Sequence, residues 1–139
     1  MRVLVDTCVW SLALRRRVDR VSAAEARLAE ALKRLIEQGR VVMCGPIRQE
    51  LLSGVREELW FERLRQRLRP FEDEPLVAED YEEAARCSNR CRAAGVAGSA
   101  VDFLLCAVAL RRKIEIFTTD GDFPRYAAHL PIRLFAPEE

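Results

Sequence analysis

Four acidic residues, Asp6, Glu50, Asp102 and Asp120, occupy places from which a folded chain could bring carboxylates together. Asp6 ends the apolar run that begins at Arg2, and Asp120 closes the turn that follows the run Ile114 to Phe117. Glu50 lies about one turn inside a segment opened by Gly45-Pro46, and Asp102 begins another apolar stretch. Three or four carboxylates in a partly desolvated cleft repel one another, and protonation or cations must offset that repulsion. A divalent metal is the simpler solution. Oxygen-only ligands with no histidine nearby in sequence favour Mg²⁺ or Mn²⁺ over zinc. Such ions lower the pKa of water, orient it toward a phosphodiester and stabilise the leaving oxygen.

Each acid also has a purely structural reading. Asp6 and Asp120 could cap turns, Ser99-x-x-Asp102 is itself an acceptable capping box, and Glu50 could sit on a solvated helix face beside Arg48. Only their joint placement favours chemistry.

The elements that must position these acids follow from periodicity. Arg2 to Asp6 reads as a strand leading into a helix at Asp6-Thr7. Ser22-Ala23-Ala24-Glu25 is a capping box, and Leu28, Ala31, Leu32, Leu35 and Ile36 then recur at helical spacing, which predicts a helix over 23–38 stopped by Gly39. Val41 to Cys44 predicts a second buried strand before Gly45-Pro46, and further helices are expected over 57–68 and 77–94. A short strand after Pro70-Phe71 is weakly signalled. The stretch from Asp102 to Leu110 predicts another helix, followed by strands at Ile114 to Phe117 and Ile132 to Phe135. Apolar strands separated by helices are the pattern of a parallel sheet covered on both faces. The expected fold is α/β, a three-layer α/β/α sandwich with a central parallel sheet of four or five strands. In such sheets ligands bind at the carboxyl ends of the strands, beside the point where strand order reverses.

With 139 residues and 50% hydrophobic content, the chain can bury one sizeable core, so a single domain over 1–139 is expected. No apolar run approaches the roughly 20 residues needed to cross a bilayer, and the sequence begins on Val3-Leu4-Val5 without a basic region and long apolar stretch. The expectation is a protein with no membrane association. Five cysteines, an odd number spread through apolar segments, fit a reducing cytoplasm rather than a disulfide scaffold. Cys87 and Cys91 are four apart, yet with His129 the only histidine a closed zinc site lacks ligands, so buried thiols are expected.

Net charge is only +1, so any interaction with a polyanion must rest on local distribution. All basic residues but Lys33 and Lys113 are arginine, whose planar fork suits phosphate as well as carboxylate, though compositional bias would give the same excess. Arg15, Arg16 and Arg17, with Arg20, lie close in sequence to Asp6 and are candidate RNA phosphate contacts. Arg63, Arg65, Arg67 and Arg69 do not share one side of a helix and read better as a solvated face.

Other chemistries fit poorly. A haloacid-dehalogenase-type phosphate enzyme would want a second aspartate two residues after Asp6, where Cys8 stands. A dinucleotide site needs a glycine-rich turn after the first strand, and Thr7-Cys8-Val9-Trp10 has no glycine. Serine-histidine catalysis would rest on His129 alone, without a Gly-x-Ser-x-Gly turn.

The sequence resembles the PIN-domain ribonucleases, and among them the VapC-type toxins of toxin–antitoxin pairs. The resemblance is carried, in order along nearly the whole chain, by Val3-Leu4-Val5-Asp6-Thr7, Pro46-Ile47-Arg48-Gln49-Glu50-Leu51, Gly98-Ser99-Ala100-Val101-Asp102 and Thr118-Thr119-Asp120-Gly121-Asp122-Phe123. It implies metal-dependent RNA cleavage with Asp6, Glu50, Asp102 and Asp120 as the acidic cluster. Asp122 would be a further member, with metal ligands drawn from Asp6, Asp102, Asp120 and Asp122. Thr7 and Thr118 look like the family's hydroxyl residues beside the cluster, orienting an acid or a water rather than attacking. A homodimer and an inhibitory cognate antitoxin whose segment covers the cleft are also implied. Cys8 and Trp10 depart from the small or aliphatic residues frequent after the first motif, a difference expected to affect packing more than chemistry. Two alternatives remain beside a toxin: a non-catalytic PIN-like module that binds RNA or protein, and a housekeeping RNA-processing nuclease.

Overall fold

A computed structural model describes residues 1–14 and 22–137. The arginines expected to contact phosphate, Arg15, Arg16 and Arg17 with Arg20, lie outside the described residues.

Strand β1 (Val3–Val5) is buried along its whole length and forms the middle of the sheet. On one side it pairs with β2 (Val41–Val42), Val3 opposite Val41 and Leu4 opposite Val42. On the other it pairs with β3 (Glu115–Phe117), Val3 opposite Glu115 and Val5 opposite Phe117. Both pairings are parallel, and the order is β2-β1-β3. A three-residue run with no polar side chain suits a strand buried on both faces.

Among the described residues the sheet has three strands, not the expected four or five. The segments after Pro70 and around Leu134 do run beside the sheet, but each makes only an isolated parallel bridge, Met43 with Asp73 and Ile116 with Leu134. Prolines explain the short pairing. Pro70 and Pro75 bracket the first segment and Pro131 and Pro137 the second, and none of these can donate a backbone hydrogen bond to a ladder.

Eight-residue α1 (Thr7–Leu14) follows β1 after a single residue. Helix α2 (Ala23–Glu37) starts with the expected box: the Ser22 hydroxyl accepts from the Glu25 amide at 3.1 Å, and Glu25 accepts from the Ser22 amide at 3.2 Å. Gly39 takes the left-handed conformation just past its end, at φ 66°. After β2 come α3 (Gly45–Leu52), with Pro46 in its first turn, and α4 (Glu58–Leu68). Two longer helices, α5 (Ala78–Ala93) and α6 (Ala100–Arg112), pack against each other before β3, and α7 (Asp122–Ala127) follows β3. Helix α1 packs on α2 and α3, and α3 on α4, so the helices form two packed groups around the parallel sheet.

Helix α6 is buried from Phe103 to Ala109 without a polar break. A helix apolar all round is a core element. Its last turn is tied to the start of α5 by ions: Asp80, fully buried, accepts from Arg111 at 2.7 Å, from Arg112 at 2.8 and 3.0 Å, and from the Val77 amide at 2.9 Å. Arg112 also donates to Glu74 at 2.9 Å. These partners hold the Asp80 carboxyl well below the usual carboxylate range, with the Arg112 hydrogen bonds the largest cause.

Cys44, Cys87, Cys91 and Cys106 are buried free thiols, and Cys8 is half-buried. No described helix is long and apolar enough to cross a membrane.

Candidate active site at the strand ends

Because β1 lies between β2 and β3, the chain leaves β1 and β3 side by side at their carboxyl ends. The Asp6 amide donates to the Phe117 carbonyl at 2.9 Å, which places Asp6 directly beside Thr118. Asp6 is 8% exposed, and both of its carboxylate oxygens accept hydrogen bonds from the protein. Oδ1 accepts from the Thr7 amide and Oδ2 from the Thr118 hydroxyl, both at 2.8 Å. Thr118 Oγ1 in turn accepts from the Asp120 amide at 3.0 Å, and Asp120 Oδ1 accepts from the Asp122 amide at 2.9 Å. A relay of side chains therefore runs from the end of β1 through the turn after β3.

Glu50 reaches the same place from α3. The Thr7 hydroxyl donates to Glu50 Oε2 at 2.8 Å, joining residues 43 apart in sequence. Arg48 is not its neighbour: its guanidinium turns to the segment after α4, bonding Asp73 at 3.0 Å and the backbone carbonyls of Leu68 and Phe71.

Asp102 enters from the first turn of α6. Ser99 caps that helix, its hydroxyl accepting from the Asp102 amide at 3.0 Å. Carboxylate oxygens of Asp102, Asp120 and Asp122 all lie within 4.8 Å of one another, the only such acidic or thiol-bearing group among the described residues. Asp102 is also near enough to Asp6 for the two charges to repel.

The electrostatics follow from that crowding. Burial raises the Asp6 carboxyl above its ordinary pKa, hydrogen bonds from Thr118 and Thr7 oppose the rise, and the Asp102 charge adds to it. Burial likewise raises Asp102, with Tyr126 opposing and the charges of Asp120 and Asp122 adding. Carboxyls whose pKa values are raised by burial and by one another's charge mark a candidate functional site. The donor set is all oxygen, which suits a hard divalent ion. Asp102, Asp120 and Asp122 fit such an ion by spacing, and Asp6 adjoins them.

Two participants were not legible as such. Cys8, expected to matter for packing, has its Sγ 3.6 Å from Asp6 Oδ2 and 3.5 Å from Thr118 Oγ1, and accepts from the Thr119 amide at 3.3 Å. Trp10 does pack, 2% exposed and edge-on to Phe71 at 5.0 Å. Tyr126 donates its phenol proton to Asp102 Oδ2 at 2.6 Å. The sequence carries no signal for this bond, because Asp102 lies 24 residues away and the six-residue α7 is too short a pattern to be read in advance.

With this geometry in hand, comparison with known proteins is decisive, because a sequence model of the PIN domain matches residues 3–129. The chain belongs to the PIN-domain family. Curated relatives of this PIN domain include the VapC ribonuclease Mb1587 of Mycobacterium bovis and ribonuclease VapC11 of Mycobacterium tuberculosis. Each is 31% identical over 127 residues, spanning 87% of this chain and 88% of the relative. The PIN chain also superposes on FitAcB from Neisseria gonorrhoeae with a TM-score of 0.76 at 22% identity, covering 97% of both chains. VapBC2 from Rickettsia felis, bound to a DNA fragment from its promoter, gives a TM-score of 0.71 at 14% identity over the full length of both. At those identities the structural likeness speaks to the fold. The recognition of a VapC-type PIN domain from its four motifs therefore stands.

Proposed function

We propose that this PIN domain is a divalent-metal-dependent endoribonuclease and the toxin of a toxin–antitoxin pair. The observation that carries the metal reading is the approach of Asp102, Asp120 and Asp122 to within 4.8 Å, with Asp6 beside them. Ionised carboxylates repel a polyanion, and a cation held among them would reverse that repulsion. RNA as substrate and an antitoxin as partner are supported by the relatives named VapC ribonuclease and by the toxin–antitoxin likeness of the structural neighbours.

In this reading Asp102, Asp120, Asp122 and Asp6 hold Mg²⁺ or Mn²⁺, which when bound supplies Lewis acidity toward the phosphodiester and lowers the pKa of water beside it. The chain's own groups do the positioning. The Thr7 amide and Thr118 hydroxyl fix both oxygens of Asp6, so its carboxylate cannot turn away from the cleft. The Thr7 hydroxyl fixes Glu50, which is free of the acid triplet and available to orient or deprotonate a water. Asp6, Glu50, Asp102 and Asp120 are thus the catalytic set, with Thr7 and Thr118 supporting.

The test is cleavage of a labelled RNA pool by wild type and Asp6→Asn, each with Mg²⁺ or Mn²⁺ and with excess EDTA. Cleavage by wild type with metal only, and loss of roughly 100-fold or more in the variant, is expected. Cleavage that survives EDTA would falsify the metal mechanism. A well-folded wild type inert toward every RNA would favour the binding-module alternative. Harmless expression in cells without a companion gene would favour a processing nuclease.

A further inference from the structure

Tyr126 is fully buried, and its ring is fixed by two aromatic neighbours that each adjoin an acid of the cluster. Phe103, next to Asp102, lies 5.0 Å away centroid to centroid; Phe123, next to Asp122, lies 5.2 Å away in an edge-on contact. The one polar atom of the ring, its hydroxyl, donates to Asp102 Oδ2 at 2.6 Å, a short bond of the charge-assisted kind. A second feature is cut to this bond. Gly98, one residue before the Ser99 cap, stands so close that a Cβ there would collide with the Tyr126 hydroxyl and lie 2.8 Å from its Cζ and 2.9 Å from Phe103 Cζ. Gly98 does not have a left-handed φ, so what it provides is space rather than backbone freedom.

We propose that Tyr126 is a positioning residue of the acidic cluster, holding Asp102 by one oxygen in the orientation that faces Asp120 and Asp122, and that bare Gly98 is what admits it. The inference rests on the reading that those three acids hold a divalent ion. Half-buried Asp102 sits on the first turn of α6, where its side chain has rotamers pointing either across the cleft or along the helix. The phenol selects one of these before the ion arrives. Ordering the ligand in advance removes a cost from ion binding, as partners of metal-binding side chains do generally. A tyrosine that merely fills the core would lack this effect, since Phe fills the same space.

Tyr126→Phe, Gly98→Ala and Asp102→Asn are compared with wild type by Mn²⁺ titration, following free Mn²⁺ by electron paramagnetic resonance, alongside thermal melts of the metal-free proteins. Tyr126→Phe is expected to weaken Mn²⁺ binding roughly 10- to 100-fold while melting within a few degrees of wild type. Gly98→Ala is expected to weaken binding comparably, and cleavage by both should recover as Mn²⁺ is raised. Tyr81 and Tyr126 are the only tyrosines, so ring-labelled wild type gives two resonances, assigned with Tyr81→Phe. Mg²⁺ should shift the Tyr126 signal and leave Tyr81, which is exposed on α5, in place. Equal Mn²⁺ affinity in wild type and Tyr126→Phe, or a Tyr126 resonance unmoved at saturating Mg²⁺, overturns the proposal. Should Tyr126→Phe fail to fold, the labelled wild type decides alone. A wild type that binds no Mn²⁺, or an Asp102→Asn variant that binds as well as wild type, instead removes the metal reading on which this one stands.

Discussion

Asp6 is held by donors that prefer its charged form and by a burial that disfavours it. Burial is the larger effect, so the folded protein binds the Asp6 proton more tightly than the unfolded chain does. A raised folded pKa means that the charge destabilises the fold once the pH exceeds the ordinary carboxylate range. It ceases to do so when both states are protonated. Asp6→Asn removes the charge and keeps the shape, so the metal-free variant should melt higher than wild type at pH 7, by about 1 kcal/mol or about 4 °C. The gain should shrink as the pH is lowered toward 4. Melts of both proteins in EDTA at the two values measure it, and a variant less stable at pH 7 would show that the Thr7 and Thr118 hydrogen bonds outweigh the repulsion.

At the scale of elements, the contact of α5 with α6 decides where Asp102 stands, and Asp80 anchors that contact. The Asp80 carboxylate joins the first turn of α5 to the last turn of α6, at the opposite end of α6 from Asp102. Its pKa is depressed, so its stabilisation is fully present above the unfolded carboxylate pKa, near 4, and is lost as the pH falls toward the folded value. Asp80→Ala should cost about 3 kcal/mol at neutral pH, the low end for breaking a buried pair, because Arg111 is 36% exposed and keeps its solvent. That corresponds to a melting point lower by about 10 °C. The gap between wild type and variant should narrow below pH 3. Equal melting points at pH 7 would show that the ion cluster contributes nothing net.

For the whole molecule, the expectation is a homodimer. Of the large hydrophobic side chains exposed among the described residues, Leu59, Val77 and Tyr81 lie on α4 and at the start of α5, where a second copy of the chain would cover them. Light scattering at micromolar concentration should give twice the chain mass, and a monomer would remove the dimer from this account.

Much was determined locally. Val3 to Val5 has no polar residue and suits burial; Ser22 with Glu25 marks the start of α2, and Ser99 with Asp102 does the same for α6. The positions of Asp6, Asp102 and Asp120 at element boundaries were legible because strand ends and helix caps are written in a few adjacent residues. What the tertiary structure alone decided is everything that depends on which boundary lies beside which. The Thr118 bond to Asp6 joins residues 112 apart and the Thr7 bond to Glu50 joins residues 43 apart, and neither separation leaves a periodic trace. Tyr126 was not legible as part of the site, because a phenol's partner is set by the helix it packs against. The edge strands shrank to single bridges for a related reason: pairing length depends on both partners, and the prolines that limit it lie outside the apolar runs themselves.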